Sequence, residues 1–83
     1  MSEVALTIKI FPREGEKPDL IVDEINKKIK VREFKIEDIG FGIKALKILL
    51  LVDDKEGEVE RVEQILSSID KISSFEIENA TRI

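Results

Sequence analysis

Apolar and polar residues change period several times along the chain, and each change marks a new element. In VALTIKI, Val4, Leu6, Ile8 and Ile10 fall on one face while Thr7 and Lys9 fall on the other, the period of a half-buried strand. Pro12 and the run REGEKP break that pattern. From Pro18 the spacing becomes helical, with Ile21, Val22, Ile25 and Ile29 on one stripe. Pro18 and Asp19 suit the start of a helix, and Lys27, Lys28 and Lys30 suit its negative end. Asp23 with Lys27, and Glu24 with Lys28, are spaced for i,i+4 pairing. Asn26 is expected on the solvated side of this helix.

Phe34 and Ile36 then alternate with charged neighbours, as on the edge of a sheet. The apolar parity slips between Ile36 and the series Ile39, Phe41, Ile43, which predicts a turn or bulge within EDIGFG. LKILLLV is apolar at almost every position and predicts a strand covered on much of both faces. After the polar break DDKEGE, Val59, Val62, Ile65, Leu66 and Ile69 form a second helical stripe. Ser67 and Ser68 are expected to end that helix, and Ser73 and Ser74 to lie in the turn after it. Phe75 and Ile77 alternate with glutamates in a last strand.

The order strand, helix, strand, strand, helix, strand is the split βαβ arrangement of an α+β, ferredoxin-like βαββαβ sandwich. It predicts a four-stranded antiparallel sheet with two helices on one face. The most apolar strands, the first and third, are expected at the centre and the charged ones at the edges. Right-handed crossovers place both helices on the same face and leave the other for a partner.

Composition narrows the chemistry. A chain of 83 residues makes one domain, here residues 1–83, with a small core. Its 42% hydrophobic and 39% charged residues are those of a globular protein. Cysteine and histidine are both absent, which removes thiolate chemistry, the usual general base and the commonest zinc ligand. A net charge of −4 opposes non-specific nucleic-acid binding, and the chain has no Tyr or Trp for base stacking. Neither a signal peptide nor an apolar run of spanning length is visible, so no membrane role and a cytoplasmic location are expected. The abundance of Lys and Glu hints at a thermophilic source.

No motif announces a reaction. GFG lacks the third glycine of a dinucleotide fingerprint and leads into a strand instead of a helix. The acidic residues Asp53, Asp54, Glu56 and Glu58 offer oxygen ligands to a hard cation, or simply form a solvated loop before a helix N-terminus. Arg13 and Asn26 are the only candidates for an acylphosphatase-like phosphate site, and no glycine-rich cradle accompanies them. No cofactor, metal site or enzymatic activity is expected.

The run IGFGIKALKILLLVDDKEG, the opening VALTIKIFP and the closing TRI together resemble archaeal translation elongation factor 1-beta. They also resemble the C-terminal guanine-nucleotide exchange domain of the eukaryotic elongation factor 1 beta subunit. The resemblance implies a guanine-nucleotide exchange factor for elongation factor 1-alpha, the GTPase that delivers aminoacyl-tRNA. In the eukaryotic family a penultimate lysine is inserted near the Mg²⁺ and phosphate site of the GTPase, and the aromatic of a G-(F/Y)-G turn also contacts its nucleotide-binding domain. By position, the implied partner-binding residues are Gly40, Phe41, Gly42, Ile43 and Lys44, and the residues that perturb the nucleotide site are Arg82 and Ile83. Arginine replaces the lysine here, and its planar, bidentate guanidinium need not do what an ammonium does.

Two readings are therefore carried forward. Nucleotide exchange is expected to bring Phe41 and Arg82 together in one region of the surface. A small-molecule-binding or self-associating regulatory module would use the open sheet face and bury Phe41.

Overall fold

The computed structural model describes residues 2–83. The elements run β1 (Glu3–Pro12), α1 (Pro18–Asn26), β2 (Val31–Gly40), β3 (Ile43–Asp53), α2 (Glu58–Ser67) and β4 (Ile72–Arg82). The sheet has the order β2-β3-β1-β4, with every neighbouring pair antiparallel. The two most apolar strands thus hold the centre, as their sequence predicts.

The register explains the two faces. Leu6, Ile8 and Ile10 pair with Leu50, Ile48 and Leu46, so these side chains share one side of the sheet. They are fully buried with Ile21 and Ile25 of α1 and Val62 and Leu66 of α2, which places both helices on that side. The opposite face carries a cross-strand row of Lys35, Lys47 and Lys9, completed by Glu76. Like charges placed so close are unfavourable unless carboxylates intervene. Glu78 supplies one, 3.1 Å from the Lys47 ammonium. That contact, helped by Glu37, holds the Lys47 pKa above its ordinary value.

Two local expectations need correction. Ser73 and Ser74 do not lie in a turn, because β4 has already begun at Ile72. Ile72 enters the core, and its pairing with Pro12 and that of Ser74 with Phe11 override the serines' preference for turns. The i,i+4 pairs of α1 do not form, since the helix stops at Asn26 and leaves both lysines beyond it. Glu24 instead meets Lys71, 3.2 Å away, and this raises the lysine's pKa. Asn26 is exposed as expected, yet its Oδ1 accepts the Val31 backbone N–H at 3.0 Å and so ties the helix end to β2.

The fold depends on a thin core. Leu50 is fully buried and joins β3 to β1 and β2. Leu50→Ala is expected to cost about 2–5 kcal/mol through lost transfer energy and the residual cavity. Urea unfolding monitored by circular dichroism checks this.

Candidate functional site

The β2–β3 connection is built by its glycines. Gly40 pairs with Ile43, leaving Phe41 and Gly42 as a two-residue hairpin loop. Their φ angles are 56° and 75°, both positive, as a type I′ turn requires. Gly40 itself has φ 104°, and the Asp38 carboxylate accepts its N–H at 2.9 Å. The register shifts between Asp38 and Gly40, with Ile39 the extra residue. The parity slip in the sequence was therefore a bulge leading directly into a turn. Nothing lies within 4 Å of a Cβ placed on Gly40 or Gly42, so backbone angle and not crowding demands glycine there.

Phe41 is the exception to that logic. It is the one described non-glycine residue with positive φ, a conformation that costs a bulky side chain about 1–2 kcal/mol. It recovers nothing by packing, because the residue is fully exposed. Ile39 and Ile43 beside it are about half exposed, and Lys44 is exposed too. An open cleft separates the turn from the loop after β1, where Arg13, Glu16 and Lys17 face Phe41 and Ile43. A small-molecule pocket of the second reading would bury Phe41 within the fold, and this display runs against it.

At the end of β4 the arrangement is different. Arg82 pairs with Val4, and the Ile83 N–H donates to the Glu3 carbonyl at 2.8 Å. The Arg82 Nε lies 2.6 Å from the Asp54 carboxylate, while the arginine side chain stays 75% exposed. The strand thus fixes the backbone of Arg82, and the ion pair biases its side chain. Asp54 belongs to the acidic loop, but no three of its carboxylates converge: among the described residues no metal-holding cluster occurs. Glu58 is engaged by Arg61 at 3.3 Å.

The two regions are not neighbours, and the expectation that Phe41 and Arg82 lie together is overturned. β3 leaves the hairpin at Ile43 and reaches Val52, which is level with Val4 and hence with Arg82. Nine strand steps of about 3.3 Å put the two ends about 30 Å apart. The molecule's longest extent of 42 Å accommodates that separation. Antiparallel pairing of β1 with both neighbours makes β3 and β4 run the same way, so the start of one is remote from the end of the other.

The acylphosphatase-like residues are accounted for structurally. Arg13 Nε donates to the Asp70 carbonyl at 2.6 Å, and Asn26 bonds β2 at the far end of α1. No pattern in the sequence points to Asp54 as the partner of Arg82. That contact joins residues distant in the chain, and only strand pairing brings them together.

Known proteins carry the same pattern through the whole chain. The EF-1 guanine nucleotide exchange domain matches residues 5–83. Elongation factor 1-beta of Thermoplasma acidophilum is 36% identical over 89 residues, covering all of both chains. The protein of that name from Methanospirillum hungatei is 39% identical over 85 residues, again covering all of both. That from Aeropyrum pernix is 34% identical over 89 residues, covering all of this chain and 99% of the relative. With its βαββαβ sandwich and a match that spans residues 5–83, the chain belongs to the EF-1 guanine nucleotide exchange domain family, whose role is nucleotide exchange in translation elongation.

Proposed function

We propose that this protein accelerates GDP release from the elongation factor 1-alpha GTPase in the cytoplasm by gripping it at two separated points. The observation that carries the reading is Phe41, strained in the left-handed region and bare of contacts at the tip of a hairpin. Strain that the free protein does not recover points to a use elsewhere, here as an apolar anchor for a protein surface. Arg82, about 30 Å away by strand count, supplies the second point.

The mechanism follows from linkage. A factor that binds the nucleotide-free GTPase more tightly than the loaded one lowers nucleotide affinity by the same ratio. GTPases hold nucleotide through Mg²⁺ and a phosphate cradle, and a guanidinium presented there competes for the same charges. Phe41 is too distant to act on that site when Arg82 occupies it, so its part is docking. No covalent bond forms or breaks on this protein, which suits a chain with neither cysteine nor histidine.

The test loads the elongation GTPase with fluorescent GDP and follows its release into excess unlabelled nucleotide. Release is expected to speed up with increasing amounts of this protein and to saturate. An unchanged rate at stoichiometric excess overturns the proposal.

A further inference from the structure

The ion pair at the end of β4 has a geometry that suits it to a particular task. Asp54 approaches the Arg82 guanidinium at Nε, 2.6 Å away. Among the described residues the guanidinium has no other ion-pair or hydrogen-bond partner. A guanidinium is a fork of five N–H donors, and its two Nη nitrogens can hold a second oxyanion bidentately while Nε is occupied. The partners also hang from adjacent backbone positions. Asp54 N–H donates to the Ser2 carbonyl at 3.0 Å, and Ile83 N–H donates to the Glu3 carbonyl at 2.8 Å. The start of β1 therefore sets both the carboxylate and the cation.

Resting on the exchange reading above, we propose that Asp54 is a positioning residue, holding Arg82 by Nε so that its Nη edge meets an oxyanion at the partner's nucleotide site, either a carboxylate of the GTPase or a phosphate of its nucleotide. A mask would cover the cation, whereas the Arg82 side chain is 75% exposed. An exposed pair is also weak, so it biases the rotamers of a long side chain without locking them. Less rotamer freedom then remains to be lost when the partner is engaged. The arrangement gives a reason for arginine at this position, since a lysine ammonium has no planar fork to divide between two acceptors.

The experiment measures GDP release from the elongation GTPase with the wild-type protein, Asp54→Asn, Arg82→Ala and the double variant. Side-chain ¹H–¹⁵N spectra report the mobility of Arg82 Nε in the same proteins. Asp54→Asn is expected to lower kcat about five- to tenfold with KM little changed, to mobilise Arg82 Nε, and to add nothing in the Arg82→Ala background. Asp54→Glu, which keeps the charge, should recover part of the rate. Undiminished or faster exchange with Asp54→Asn, while Arg82→Ala is slow, overturns positioning and leaves the exchange reading intact. An equal loss in both backgrounds gives Asp54 a role of its own and also overturns it. If Arg82→Ala exchanges as well as wild type, the proposed role of Arg82 fails and positioning fails with it. Binding to nucleotide-free GTPase separates the two oxyanion sources. A loss seen there for Asp54→Asn marks a protein carboxylate, and a loss confined to GDP release marks the nucleotide phosphate.

Discussion

Phe41→Asn is expected to stabilise the free protein and, at the same time, to weaken its hold on the GTPase. Asparagine followed by glycine is the preferred pair for a two-residue type I′ hairpin, and Phe41 occupies the first of those positions with φ 56°. Relief of the left-handed strain is worth about 1 kcal/mol, which raises Tm by about 4–8 °C in a domain of this size. The ring contributes no burial in the free protein to set against that gain. Losing an aromatic anchor at a protein interface costs about 1.4–2.7 kcal/mol, a weakening of Kd by about 10- to 100-fold. Calorimetric titration of nucleotide-free GTPase, alongside thermal unfolding, reads both quantities. Phe41→Ala retains the strained backbone and is expected to lose affinity with stability nearly unchanged. A Tm that falls for either variant would mean the ring packs within its own fold, and the docking role would be lost.

The opposite signs expected for stability and binding bear on how much the sequence can disclose. Alternation and helical spacing sufficed for the sheet, because Leu6, Ile8 and Ile10 must share a face whatever partners them. The slip at Ile39 was equally legible, as a strand cannot change parity without an extra residue. Phe41 was harder. Isolated, it reads as a core residue, and only glycines on both sides hint at a left-handed turn. The serines at 73 and 74 show local preference failing outright against strand pairing. The ion pair of Asp54 with Arg82 lay beyond any local pattern.

The separation of Phe41 and Arg82 is a different kind of case, because it was implicit in the fold class. Once β1 is central and antiparallel to both neighbours, β3 and β4 are parallel in direction. The hairpin that starts β3 then lies at one end of the sheet and the close of β4 at the other. Motif resemblance joined the two residues through a shared function, and topology divides them in space. Topology also changes what each can contribute, since one rigid body that holds the two residues about 30 Å apart can restrain its partner at two places.

That division makes the strongest test of a two-point grip a double variant. Phe41→Ala and Arg82→Ala are each expected to lower kcat/KM for GDP release about 10- to 100-fold, by different routes. Phe41 binds equally before and after nucleotide leaves, so its loss should appear mainly in KM. Arg82 gains its contact as the nucleotide site opens, so its loss should appear mainly in kcat. Sites well beyond 10 Å apart that touch no common residue combine independently, and the double variant should lose the product, about 10²- to 10⁴-fold. Stopped-flow measurement over a range of exchange-factor concentrations gives all four values of the cycle. Were both side chains to enter a single site, removing the second would cost little once the first had gone. A double variant no slower than the worse single one would therefore refute the two-point grip, even if each residue proved essential alone.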